Sequence, residues 1–184
     1  MGTRNLTAVI VNGEHKIAQY GQWDGYPEGA GKEIFYFLKK IIKGNKIDVF
    51  KEKISECRFI TQKELDTKYE SLGIDISTGF IKIEDSRKFA EHYPQLDRDM
   101  GCSVLEYVFE NGGCELMDSY KFIEDTLFCE WSYIIDFDKE CLEVYGSFGP
   151  KYIASERFTD MCCYKVSFSE LLHITAPTFV KNCR

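Results

Sequence analysis

A chain of 184 residues is long enough to bury one sizeable core and too short for two comfortable ones. Its 44% hydrophobic and 15% aromatic content is that of a globular protein, and no run approaches the ~18 apolar residues of a membrane span, which excludes a transmembrane protein. The net charge of -7 is carried unevenly: residues 1–92 are nearly neutral, while residues 97–143 hold 13 acidic against three basic side chains, which argues against an ordinary nucleic-acid binder.

The first predicted element is a strand, Leu6 to Val11, apolar on both faces apart from Thr7. Asn12-Gly13 supplies the residue pair that a type I′ turn needs at positive φ, and Glu14 to Tyr20 returns as a second strand. A two-residue loop sets Val11 opposite Glu14, Ile10 opposite His15, Ala8 opposite Ile17, Asn5 opposite Tyr20 and Arg4 opposite Gly21. The loop Gly21 to Gly31, GQWDGYPEGAG, is too rich in glycine for a regular element. Ile34, Phe35, Leu38, Ile41 and Ile42 then recur at helical spacing, with Gly44 at the C′ position. A second helix is predicted over Asp48 to Glu56, and the Thr61/Glu64 capping box opens a third, ended by Gly73.

Ile74 to Gln95 is weakly patterned and reads as a loop with a short helix around Arg87 to His92. Asp97 to Glu110 reads as a helix stopped by Asn111-Gly112-Gly113. From Leu127 the period changes to two: Leu127 to Phe137 and Cys141 to Tyr145 form a second hairpin about Asp138-Lys139. A strand near Tyr164 to Phe168 and a short helix at Ser169 to His173 complete the chain. With no linker or repeat, residues 1–184 are read as a single α+β domain: an antiparallel sheet built from N- and C-terminal hairpins, with helices from the middle. The early hairpin fits the layering of N-terminal-nucleophile hydrolases, but not their chemistry. Removal of Met1 exposes Gly2, which has no nucleophilic side chain, and Thr3 would need a second processing step.

Eight cysteines without a Cys-x-x-Cys, and three scattered histidines, give no metal-ligand spacing. No metal or other cofactor is expected. The first dozen residues lack a secretory apolar run, so a cytoplasmic protein with free thiols is expected.

Two surfaces are candidates for function. The acidic stretch offers Asp97, Asp99, Glu106, Glu110, Glu115 and Asp118, with Asp136, Asp138 and Glu140 at the second hairpin turn. Carboxylates on a rigid scaffold suit a Lys/Arg-lined partner, although the bland reading is a solvated surface that keeps the protein soluble. The glycine-rich loop gathers Arg4, Asn5, Tyr20, Gln22, Trp23, Asp24 and Tyr26. Aromatic faces, polar edges and a guanidinium able to fork onto a carboxylate or phosphate suit a small hydrolase or a ligand-binding protein. Its bland reading is an Ω-like loop covering the sheet end. No Gly-Lys-Ser/Thr follows, so it is not a phosphate loop, and no catalytic residue is assigned.

The segments TRNLTAVIVNGEHKIAQYGQWDGYPEG, residues 3–29, and LFCEWSYIIDFDKECLEVYG, residues 127–146, resemble a family of small proteins encoded by phages, bacteria and fungi. That family gives no catalytic residues to carry over. In length and composition the chain is also similar to mobile-element inhibitors of type II CRISPR nucleases. This likeness implies a non-enzymatic anti-CRISPR protein in the host cytoplasm. Its partner would be a nucleic-acid-binding defence nuclease, and neither a membrane nor nucleic acid itself would be bound.

Overall fold

The computed structural model describes residues 2–125, 127–146 and 162–184. Every residue of β1 (Asn5–Val11) is buried, as a strand covered on both faces requires. It turns through Asn12 (φ 55°) and Gly13 (φ 75°) into β2 (Glu14–Gly21). The register starts as expected, Val11↔Glu14 and Ile10↔His15, but Val9 then pairs with Ile17 and Asn5 with Gly21. Lys16 is the extra residue of a β-bulge, so the unbulged pairing of Ala8 with Ile17, Asn5 with Tyr20 and Arg4 with Gly21 is corrected by one position. The cause is Lys16 itself. In an unbulged ladder it would oppose Val9 and enter the main core, whereas the bulge gives that place to Ile17. Lys16 instead pairs with Glu14 at 2.6 Å.

A single π-type turn, Pro27–Gly31, leads into α1 (Lys32–Lys43). This helix closes with a Schellman motif. The N–H of Lys46 reaches the Ile41 carbonyl at 2.8 Å, and that of Asn45 reaches Ile42 at 3.1 Å. Asn45, at φ 52°, holds the left-handed position expected of Gly44, which stays right-handed. After α2 (Ile47–Ser55) and β3 (Arg58–Ile60), α3 (Gln62–Ser71) begins with the predicted Thr61/Glu64 capping box. Next, α4 (Ile83–His92) is longer than the short helix expected there. The helix expected over Asp97 to Glu110 is interrupted at Gly101 (φ 50°); a 3-10 turn at Gly101–Ser103 precedes α5 (Val104–Asn111). β4 (Glu115–Met117) pairs in parallel with β3, a small sheet not foreseen in the sequence.

The second hairpin, β5 (Trp131–Asp136) and β6 (Cys141–Gly146), forms as expected and is followed by β7 (Cys162–Ser167) and α6 (Phe168–His173). A final helix, α7 (Ala176–Asn182), was not predicted. The five-stranded order is β2-β1-β5-β6-β7. Its β1–β5 pairing is parallel and the others antiparallel, so the sheet expected to be antiparallel is mixed, within an α+β fold. The antiparallel β2 returns the chain to the end where β1 begins, and the long helical connection from β2 skips past β1 to start β5 in the same direction as β1.

Alternation along the strands divides the core. Val9, Ile17, Tyr133, Ile135, Leu142 and Val144 face the helices, packing on Ile34, Leu38, Phe50, Leu105, Leu171 and Phe179. Leu6, Ala8, Ile10 and Ile134 face the other way, onto Ile123 and Cys129. A third, smaller cluster, Ile60, Ile74, Phe89 and Leu96, lies with β3, α3 and α4.

Candidate functional site

The loop after β2 is held by backbone chemistry more than by side-chain packing. The Asn5 amide donates to the carbonyls of Gly21 (3.4 Å) and Trp23 (3.2 Å). Gly25 N–H donates to Thr3 O at 3.0 Å, and a Cβ at Gly25 would lie 2.7 Å from that oxygen, so only glycine fits. Asp24 adopts φ 50°, and its carbonyl accepts the Ala30 N–H at 2.8 Å. The Gly31 N–H reaches back to Tyr26 O at 3.3 Å, the i to i+5 bond of the π turn, a feature frequent at functional sites. Beneath it the buried Tyr133 hydroxyl donates to Gly25 O at 2.8 Å. The loop is thereby fixed, with Trp23 56% and Tyr26 50% exposed.

Six of the seven loop residues gather here. Tyr20 donates to Gln22 Oε1 at 2.6 Å, Arg98 bonds the same oxygen, and the Trp23 indole donates to Asp99 Oδ1 at 3.0 Å. Arg4 goes elsewhere: its guanidinium lies over the Phe128 ring, 4.8 Å from the centroid, and forms no ion pair with Asp24 among the described residues. Thr3 is 4% exposed, so its hydroxyl is not presented to solvent as a nucleophile.

The concave surface lies beside this loop, on the outer face of α1. Glu33, Tyr36, Phe37 and Lys40 follow the i, i+3, i+4, i+7 spacing that puts them in one stripe. With Cys102, Ser103, Leu105 and Glu106 opposite, they bound a hollow of about 350 Å³. A second hollow of about 560 Å³ is lined by Asp24, Tyr26, Glu28, Gly29, Glu33 and Arg184. Glu33 lines both, so the two hollows adjoin at that side chain as neighbouring parts of a groove. Lys40 pairs with Glu106 at one end and Arg184 with Glu28 at the other. Asp24 and Glu33 have no ion-pair partner among the described residues. The Cys102 thiol donates to Glu33 Oε2 at 3.1 Å. Burial, then the adjacent Glu33 carboxylate, pushes that thiol far above its ordinary range, so at neutral pH it is a donor and not a nucleophile.

Most of the nine carboxylates of the acidic stretch are engaged within the protein. Asp136 is buried, accepting the N–H groups of Asp138 (2.9 Å) and Lys139 (3.0 Å). Asp138 accepts from Asn12 (2.9 Å) and Gly13 (2.7 Å), and Asp118 bonds His15 Nε2 at 3.0 Å. Glu115 is paired with Arg58 and Lys68, and Asp99 with the Trp23 indole. Asp97 is half-buried and accepts the Asp99 N–H at 3.2 Å, while Glu110 and Glu140 are exposed. Of the nine, Glu106 lines the groove. Sequence reasoning missed Glu33, Tyr36, Lys40 and Arg184. Tyr36, an aromatic on the polar side of a predicted amphipathic helix, was the available signal; Arg184 had none.

Among the described residues no helix is long and apolar enough to cross a membrane, and no group of three or more His, Cys, Asp or Glu side chains is placed to hold a metal ion. No protein family, no curated protein and no solved structure matches this chain.

Proposed function

We propose that the protein is a non-enzymatic binding module that receives a basic surface of a partner protein in the groove between the Gly21–Gly31 loop and α1. The observation that carries this reading is that two carboxylates without an ion-pair partner among the described residues, Asp24 and Glu33, line adjoining hollows with the exposed rings of Tyr26 and Tyr36 (58% exposed). Lys and Arg side chains fit such a surface twice over. Their charged ends meet carboxylates, and their alkyl stems and cationic heads lie on aromatic faces. Excess negative charge on the chain adds attraction during encounter. A defence nuclease with a Lys/Arg-lined nucleic-acid channel is the class of partner this reading addresses, which makes the protein an inhibitor by occupancy. The 560 Å³ hollow is also of the size that holds small ligands, so a small cation is the second reading.

The test is calorimetric titration with a purified type II CRISPR nuclease lacking its guide, and separately with an arginine-rich peptide and with free arginine. Binding of the nuclease is expected to weaken as salt rises. Asp24→Asn with Glu33→Gln should weaken it by roughly ten-fold or more at low salt, on the order of 1 kcal/mol per charge removed. Glu110→Gln with Glu140→Gln should leave it unchanged. Loss of binding in the Glu110/Glu140 variant, with the groove variant binding normally, overturns the assignment. Tight binding of free arginine without the nuclease selects the small-ligand reading.

A further inference from the structure

Away from the groove, two thiols meet where the small parallel sheet begins. Cys57 immediately precedes β3 and Cys114 immediately precedes β4, and the Arg58↔Glu115 register sets the two cysteines side by side. The Arg58 N–H donates to Cys114 O at 3.0 Å and the Cys114 N–H points at Cys57 Sγ at 3.4 Å, while the Cys57 thiol donates to Lys53 O at 3.5 Å and the Cys114 thiol to Gly112 O at 2.9 Å. Neighbouring strands lie ~4.8 Å apart, within the ~4.4–6.8 Å that a disulfide spans between Cα atoms. That spacing is compatible with closure by rotation of the side chains. Access is unequal. Cys57 is half-buried and borders a surface hollow of about 530 Å³ with His15, Lys16 and Phe59, whereas Cys114 is buried at the edge of a hollow of about 430 Å³. All eight cysteines are free in this structure.

We propose that Cys57 and Cys114 are a modification site, closing to a reversible intramolecular disulfide under a two-electron thiol oxidant such as hydrogen peroxide. Cys57 sulfur attacks one peroxide oxygen, the O–O bond breaks, and water leaves with the thiol proton, giving a sulfenic acid at Cys57. Cys114 sulfur then attacks Cys57 sulfur, the S–O bond breaks, and a second water carries off the Cys114 proton. Two thiols and one peroxide become one disulfide and two waters; the sulfur pair loses two electrons and the peroxide gains them. Burial pushes the Cys57 thiol up and Cys114 to about 12, so both are protonated at neutral pH. The pair answers sustained oxidation, not a brief pulse, and closes faster as pH rises. Once formed, the bond encloses β3, α3, α4 and α5 in a covalent ring, which restricts the unfolded chain and ties down the smaller cluster.

The reduced full-length protein is incubated natively with hydrogen peroxide, denatured in N-ethylmaleimide, and mapped by mass spectrometry without reduction. The expected product is a Cys57–Cys114 linked peptide that dithiothreitol releases, with the other six cysteines alkylated. Oxidation should raise the urea midpoint of the unsubstituted protein and leave that of Cys57→Ser or Cys114→Ser where it was. If the serine variants do not fold, the peptide map of the unsubstituted protein decides alone. Sulfinic or sulfonic acid at Cys57 with Cys114 still alkylated overturns the proposal. So does a disulfide between other cysteines, or full alkylation of both thiols after prolonged peroxide.

Discussion

Thr7 lies at the middle of β1, fully buried, and its hydroxyl has no hydrogen-bond partner among the described residues. Leaving such a group dry costs about 1–3 kcal/mol relative to an apolar group of the same shape. Thr7→Val is therefore expected to stabilise the protein by about 1 kcal/mol, read as a higher urea midpoint at unchanged slope. A lower midpoint would show that the hydroxyl is bonded to a buried water. Glu64 makes a different case, because its state depends on pH. The Thr61 N–H first, then Arg58 and the Thr61 hydroxyl, hold its carboxyl at about 2, below an ordinary value of 4.5. A depressed folded-state value means that the stabilisation is complete above pH 4.5 and fades as pH falls from there through 2. Glu64→Gln should lower the melting temperature at pH 7 and flatten its decline across that window. Thermal melts followed by circular dichroism at a series of pH values test this, and an unchanged acid limb would count against the assignment.

Asp138 joins two elements that are far apart in sequence. From the β5–β6 turn it accepts both N–H groups of the β1–β2 turn, Asn12 first in the chain and then Gly13, and these bonds draw its carboxyl below the ordinary range. Asp138→Ala should cost about 1 kcal/mol after allowance for screening at an exposed site, and Asp138→Asn should cost part of that, both measured by urea unfolding. The partner in this clamp is what the sequence did not reveal. Local signals were legible: the Asn12-Gly13 turn, the apolar stripe of α1, the Thr61/Glu64 cap and the second hairpin. The Lys16 bulge was legible in principle, since the unbulged ladder buries an ammonium opposite Val9. So was α7, whose Thr175 cap and Pro177 mark a helix start. Gly101 should have divided the helix drawn across it, because it sits at positive φ where that helix would run. By contrast, β3 and β4 are three residues each and find each other across the whole of α3, α4 and α5. The internal partners of the acidic stretch were hidden for the same reason. Arg58, Lys68, His15 and the turn amides that engage its carboxylates come from distant parts of the chain.

Across the whole molecule, stability is expected to be unequal between the main sheet and the smaller layer of β3, β4, α3 and α4. The sheet is covered on both faces, and β1 exposes no residue. The smaller cluster in this layer has four buried apolar residues, α3 buries none of its own, and the buried Leu116 of β4 belongs to the main core. One link to the first hairpin runs through His15, whose ring lies 5.5 Å from Phe59 and whose Nε2 bonds Asp118, and Leu116 of β4 packs into the main core. Local opening follows the least-buried unit, so amides of α3 and α4 should exchange through a low-energy opening while those of β1 and β5 exchange only on global unfolding. Phe89 is the centre of that unit, stacked on Tyr69 at 3.9 Å and packed on Tyr93 at 5.2 Å. Phe89→Ala removes about 3–5 kcal/mol of packing, a loss large enough to unfold a small layer outright. Native-state hydrogen exchange should then show protection lost over residues 62–92 and retained in β1, β5 and β6. A uniform fall in β1 and β5 as well would mean that the two layers share one cooperative core. In that event an oxidised Cys57–Cys114 bond would stiffen the main sheet too, because restraining one part of a single cooperative unit raises the free energy of opening all of it.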